Sequence, residues 1–98
     1  MAAYAIGDVE VLDEDGYAEY RRRFDDILAK FGGRILVNGG HTEAKEGTWV
    51  PRRLVILEFP SLEHARSWLD SPEYGEVAPI RHAHAKTHFL TFVDGWPG

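Results

Sequence analysis

Residues 4–11, YAIGDVEV, alternate apolar and polar side chains with the two-residue period of a strand. The period then changes. Asp13 is placed to cap a helix with further acids in its first turn, and Tyr17, Tyr20, Phe24, Ile27, Leu28 and Phe31 recur at three- and four-residue steps on one face. Gly32-Gly33 supplies a left-handed stop. A second strand follows over 34–38, RILVN, and a third is expected over 52–59, ending at Pro60-Ser61. The glycine-rich, polar stretch between Asn38 and Arg52 reads as a long hairpin excursion. Ser61 caps a short helix that puts Leu62, Ala65, Trp68 and Leu69 on one face; Ser71 and Pro72 restart a second one carrying Tyr74, Val77, Ala78 and Arg81, which Pro79 should kink or split. The last strand is expected over 88–94, and residues 95–98 as a frayed tail.

The order β-α-β followed by β-α-β predicts an α+β fold, the ferredoxin-like plait: a four-stranded antiparallel sheet with its helices on one face. Residues 1–98 form a single domain on this reading. If the numbering keeps phase across all four strands, the odd positions form the helix-packed face: Ala5, Gly7 and Val9, Ile35 and Val37, Val55, Leu57 and Phe59, Phe89, Thr91 and Val93. The even positions then form an uncovered face on which Tyr4, Ile6, Leu36, Leu54, Ile56, Leu90 and Phe92 stand among Asp8, Glu10, Asn38, Glu58, His88 and Asp94. A face so apolar calls for a partner, and a second copy packed through a two-fold axis would enclose a barrel-like interior, hence an expected homodimer.

Composition narrows the function classes. The 98 residues are 44% hydrophobic with a net charge of −5, which argues against a phosphate-backbone partner, and the run Arg21-Arg22-Arg23 sits beside Asp25 and Asp26 as a solvated, ion-paired helix face. The chain has no cysteine, which excludes disulfides and thiolate metal sites and fits a reducing cytoplasm. No apolar run approaches the roughly 20 residues a membrane span needs, so neither nucleic acid nor membrane is an expected partner.

The candidate chemistry lies on the strands. Glu58, in the apolar run Leu54–Phe59, must face a wet interior or own a partner, and Tyr4 on the neighbouring strand is the nearest candidate. The plait's strand order, 4-1-3-2, gathers Asp8, Glu10, Asn38, Arg52 and His88 at the hairpin end, where they either orient a small polar ligand and move a proton or form an ion-paired sheet edge. The segment HAHAKTH invites a metal reading, but His82 and His84 diverge on a helix and no carboxylate spacing supports a site, so no metal is expected; no histidine is placed as a haem ligand. Gly39-Gly40 leads into a hairpin and not a helix, so it is no dinucleotide fingerprint, and no nucleophile-elbow serine is present. No cofactor is expected. Trp68 has core spacing, whereas Trp49 in a polar loop suits a pocket rim or a partner contact.

The segments FGGRILVNGG, EGTWVPRRLVILEFPSLEHARSWLDSPEY and the following IR resemble the domain-of-unknown-function family thirteen-thirty across essentially the whole chain. Matching positions include Gly32, Gly33, Gly39, Gly40, Glu46, Gly47, Arg53, Glu58, Phe59, Trp68, Ser71, Tyr74 and Arg81; Asn38 departs from a family that often has arginine there, which weakens an anion-binding role at 38. The resemblance implies a dimeric α/β barrel of ferredoxin-like subunits, in a superfamily with small antibiotic-biosynthesis-type monooxygenases, muconolactone isomerases and chlorite-dismutase-like haem proteins. It supplies no reaction. Two readings stay open: a cofactor-independent enzyme acting on a small organic molecule in a pocket between sheet and hairpin, or a non-catalytic small-molecule-binding or accessory dimer. For the first, Glu58, His88 and Asp8 are the candidate proton-handling groups, and Asn38, Trp49, Arg52, Arg53, Tyr4 and Arg81 the candidate ligand contacts, with Arg53 or Arg81 holding an anionic group.

Overall fold

In the computed structural model, which describes residues 1–98, four strands form one antiparallel sheet: β1 (Ala3–Val11), β2 (Arg34–Asn38), β3 (Leu54–Phe59) and β4 (Ala85–Asp94), in the order β2-β3-β1-β4. Helices α1 (Glu14–Lys30), α2 (Leu62–Asp70) and α3 (Pro72–His84) complete the expected plait. Each helix begins where a short polar side chain satisfies an orphan amide: Asp13 accepts from Gly16 N–H at 3.2 Å, Ser61 from His64 N–H at 3.2 Å and Ser71 from Tyr74 N–H at 3.0 Å. Gly32, at φ +73°, ends α1 in the left-handed region.

The elements differ from the sequence pattern at three points. A single helix runs through Pro79, because the proline and Gly75 one turn before it are both exposed, so the carbonyl that loses its donor faces water. Strand β4 begins at Ala85, three residues ahead of His88, and β3 begins at Leu54, after the long 39–53 segment.

The core is an aromatic cluster between the helices and the sheet. Trp68 is at its centre, with ring centroids 4.5 Å from Tyr74, 5.5 Å from Phe59 and 6.1 Å from Phe24. The Tyr20 and Tyr74 hydroxyls meet at 2.6 Å inside it, so each polar tip is satisfied without water. Burial is the main reason that both phenols, and that of Tyr17, are pushed above their usual range.

Strand phase is where the structure corrects the odd–even reading. It holds along β1 and β3, whose paired residues share parity from Ala3↔Phe59 to Asp8↔Leu54. In β4 the register shifts between Asp8 and Val9: Val9 pairs with Thr87 but Asp8 with Phe89, leaving His88 as the extra residue of a bulge. Beyond the bulge every side chain changes face, so Leu90 and Phe92 pair with Gly7 and Ala5 on the helix side, while Phe89, Thr91 and Val93 share the open face with Asp8, Ile6 and Tyr4. A second shift, between Ile35 and Val37, does the same in β2. Val37 joins Ile56 on the open face, and Asn38 joins Val55 on the helix side.

Candidate functional site

The same bulges shape a cavity of about 180 Å³ on the helix side, between the sheet and α1. Its floor is Ala5, Gly7 and Val9 of β1 with Val55 and Leu57 of β3, and small residues there leave the space that larger ones would fill. Gly7 matters in this respect: a methyl built on it would stand 3.5 Å from Leu90 Cδ1, an ordinary contact, so its hydrogen enlarges the cavity without backbone strain. Tyr17, Tyr20 and Phe24 of α1 form the roof, and Trp68 closes the inner end.

The polar groups in this apolar lining are mostly cationic. Arg53 and Arg81 contribute to it from two different parts of the fold, along with Arg21 and the exposed Asp25 of α1. Asn38, carried to this face by the β2 bulge, accepts a hydrogen bond from the Arg53 guanidinium. Arg81 lies across the Tyr74 ring, 5.9 Å from its centroid, with Nη2 at 3.1 Å from His82 Nε2. The charges of Arg53, Arg21 and Arg81 reach Tyr17 strongly enough to pull against the burial that raises its hydroxyl pKa.

The residues singled out from sequence divide between the faces. Glu58 has its partners on the open face: Tyr4 donates to it at 3.3 Å and Arg34 Nε at 2.5 Å. His88 pairs with Glu10 at 2.8 Å, and buried Asp8 accepts the Arg53 backbone N–H at 2.9 Å. Glu58, His88, Asp8 and Tyr4 are not among the cavity residues. Arg52 is exposed, and Trp49, 58% exposed, rests against Phe89 with centroids 5.9 Å apart, over the open face. The hairpin-end cluster therefore forms in pieces: Glu10 with His88 on one face, Asn38 with Arg53 on the other. His84 meets Asp13 at 3.3 Å, away from His88, and no group of three or more potential metal-ligating side chains occurs. The contributions of Tyr17, Phe24 and Gly7 were not visible in strand or helix periodicity, which marked them only as core; the small residues at 5 and 7 were the one available signal.

A family model described as "Domain of unknown function (DUF1330)" matches residues 2–96. The chain belongs to this family. No functionally curated protein matches the sequence. Among solved structures, this DUF1330 domain is similar to RPA0582, a protein of unknown function from Rhodopseudomonas palustris, with a TM-score of 0.77 at 17% identity over 99% of this chain and 84% of that one. It is also similar to SnoaB, a cofactor-independent oxygenase from Streptomyces nogalater, at TM-score 0.59 and 16% identity, covering 99% and 95% of the two chains. An antibiotic biosynthesis monooxygenase gives 0.54 and 13%, covering 99% and 100%. At these identities the likeness is one of fold: the DUF1330 domain shares the ferredoxin-like α+β architecture of these proteins. No helix of the domain is long and apolar enough to cross a membrane.

Proposed function

We propose that this domain holds a small organic molecule in the cavity between the sheet and α1 and acts on it without a resident cofactor. The observation that carries this reading is the cavity itself, an apolar chamber whose few polar groups converge from α1, α3, the end of β2 and the residue that precedes β3. The pocket thus lies between sheet and helix, on the opposite side of the sheet from the one sequence parity indicated. The fold shared with a cofactor-independent oxygenase supports chemistry that relies on the substrate's own electrons, with the protein supplying orientation and charge stabilisation.

The alternative, a binding module with no turnover, draws on one observation: Glu58, His88 and Asp8 are already engaged by neighbours outside the cavity. We further propose that two copies pair through the open face, covering Ile6, Val37, Ile56 and Phe89. Tyr4, Glu58 and Trp49 then belong to that interface.

Gly7→Val tests the cavity reading. The added side chain enters the chamber beside Leu90 and favours the strand conformation, so the variant should still fold while losing small-molecule binding or turnover. A folded Gly7→Val protein that binds its ligand normally would remove the cavity from the account.

A further inference from the structure

The charge balance around the cavity is unusual for a chain of net charge −5. Arg21 is neutralised by Glu14 at 3.2 Å, but neither Arg53 nor Arg81 has a carboxylate within ion-pair range. Arg81 is only 8% exposed, and its Nε is buried without an acceptor. A buried guanidinium left uncompensated is strongly unfavourable, and neither the π face of Tyr74 nor a histidine nitrogen supplies a negative charge. Arg53 reaches the same chamber with an amide oxygen as its side-chain partner. Arg81 comes from α3, which packs against α1, and Arg53 from the end of the 39–53 segment that leads into β3, so an anion between them would be gripped from two parts of the fold at once.

Volume sets the size of the rest of the ligand. An apolar protein cavity of about 150 Å³ holds benzene, so the present chamber, near 180 Å³, has room for one ring and a few further atoms. A nucleotide is too large, and free phosphate would leave the apolar lining unused. We infer that the ligand is a small organic carboxylate whose apolar body lies against Phe24, Val55, Leu57 and Leu90 while Arg81 and Arg53 hold its carboxylate. This rests on the cavity reading above and specifies the substrate class of that site.

Benzoate and its uncharged analogue benzyl alcohol separate the two ideas in a calorimetric titration. The wild-type protein should bind benzoate at least about tenfold more tightly, and Arg81→Gln or Arg53→Gln should each cost benzoate on the order of tenfold while leaving benzyl alcohol within about twofold. Gly7→Val should abolish both. Equal affinity for the two probes, with both lost in Gly7→Val, would overturn the carboxylate assignment and keep the cavity. Failure of both to bind the wild type, or benzoate binding that survives Gly7→Val, would overturn the cavity reading as well. If Arg81→Gln does not fold, half-buried Arg53 decides the matter alone, and unchanged benzoate affinity in Arg53→Gln contradicts the proposal.

Discussion

The two faces of one sheet use the same residue types for different ends. On the helix side, Leu57, Phe59, Trp68 and Tyr74 are almost wholly enclosed, and the space left over is a small chamber with cationic groups in its wall. On the open side, Ile6, Ile56 and Phe89 are only partly covered, and the polar groups among them are tied in pairs, Tyr4 and Arg34 to Glu58 and His88 to Glu10. The lesson is that a carboxylate in an apolar strand need not mark a reactive site. Glu58 is answered by a phenol and a guanidinium, whereas Arg81, which sits in an ordinary helical pattern, is the group left without its counter-charge.

Substitutions can break this contrast one face at a time. The largest effect should come from Trp68→Ala, which removes the ring that touches Phe24, Phe59 and Tyr74; a loss of about 3–5 kcal/mol is expected in denaturant unfolding, enough to leave a domain of this size barely folded. On the other face, Ile56→Asp should leave the subunit folded and separate the copies, visible as a monomer in sedimentation at micromolar concentration. An unaltered dimer would mean that a different surface pairs, and a wild-type monomer would mean that none does.

Tyr20→Phe tests the enclosure of the helix side with a smaller effect. It leaves the Tyr74 hydroxyl without its partner, costing about 1 kcal/mol at neutral pH. Burial raises the pKa of Tyr17, Tyr20 and Tyr74, so above about pH 10 the unfolded chain releases protons that the folded one keeps. Stability is therefore constant with respect to these groups below that pH and falls as pH rises through it, by at most about 1.4 kcal/mol per unit for each phenol. Tyr20→Phe should flatten that alkaline slope by one proton, and an unchanged slope would show that Tyr20 ionises freely in the folded protein. The smallest effect is expected from Glu58→Gln: its partner Arg34 is 70% exposed, so a loss below about 1 kcal/mol should appear in thermal unfolding, with no change in cavity binding. A drop in ligand affinity in this variant would return Glu58 to the functional site.

The elements were legible because each is marked locally. Alternation along 4–11, the caps at Asp13, Ser61 and Ser71, and the glycine stop at Gly32 all appear in the folded chain. The faces were less so, since a bulge costs one residue and leaves composition untouched: nothing in RILVN or HFLTFVD marks Leu36 or His88 as the extra residue, yet each reverses every side chain that follows. That reversal exchanged Leu90 and Phe92 for Phe89 and Val93 and moved Asn38 beside Arg53. The cavity was hidden for a related reason. It depends on how far α1 stands from Gly7 and Val55, a distance set by packing of the whole aromatic cluster, and the residues around it look like core in any periodicity.

Strand β3 offers the most direct test, because neighbouring residues on it belong to opposite faces. Methyl NMR spectra of Leu54, Val55, Ile56 and Leu57, recorded while benzoate is added, read both faces in one titration. The account predicts that Val55 and Leu57 shift together with Leu90, while Leu54 and Ile56 stay in place; shifts confined to Leu54 and Ile56 would put the ligand on the open face and contradict it.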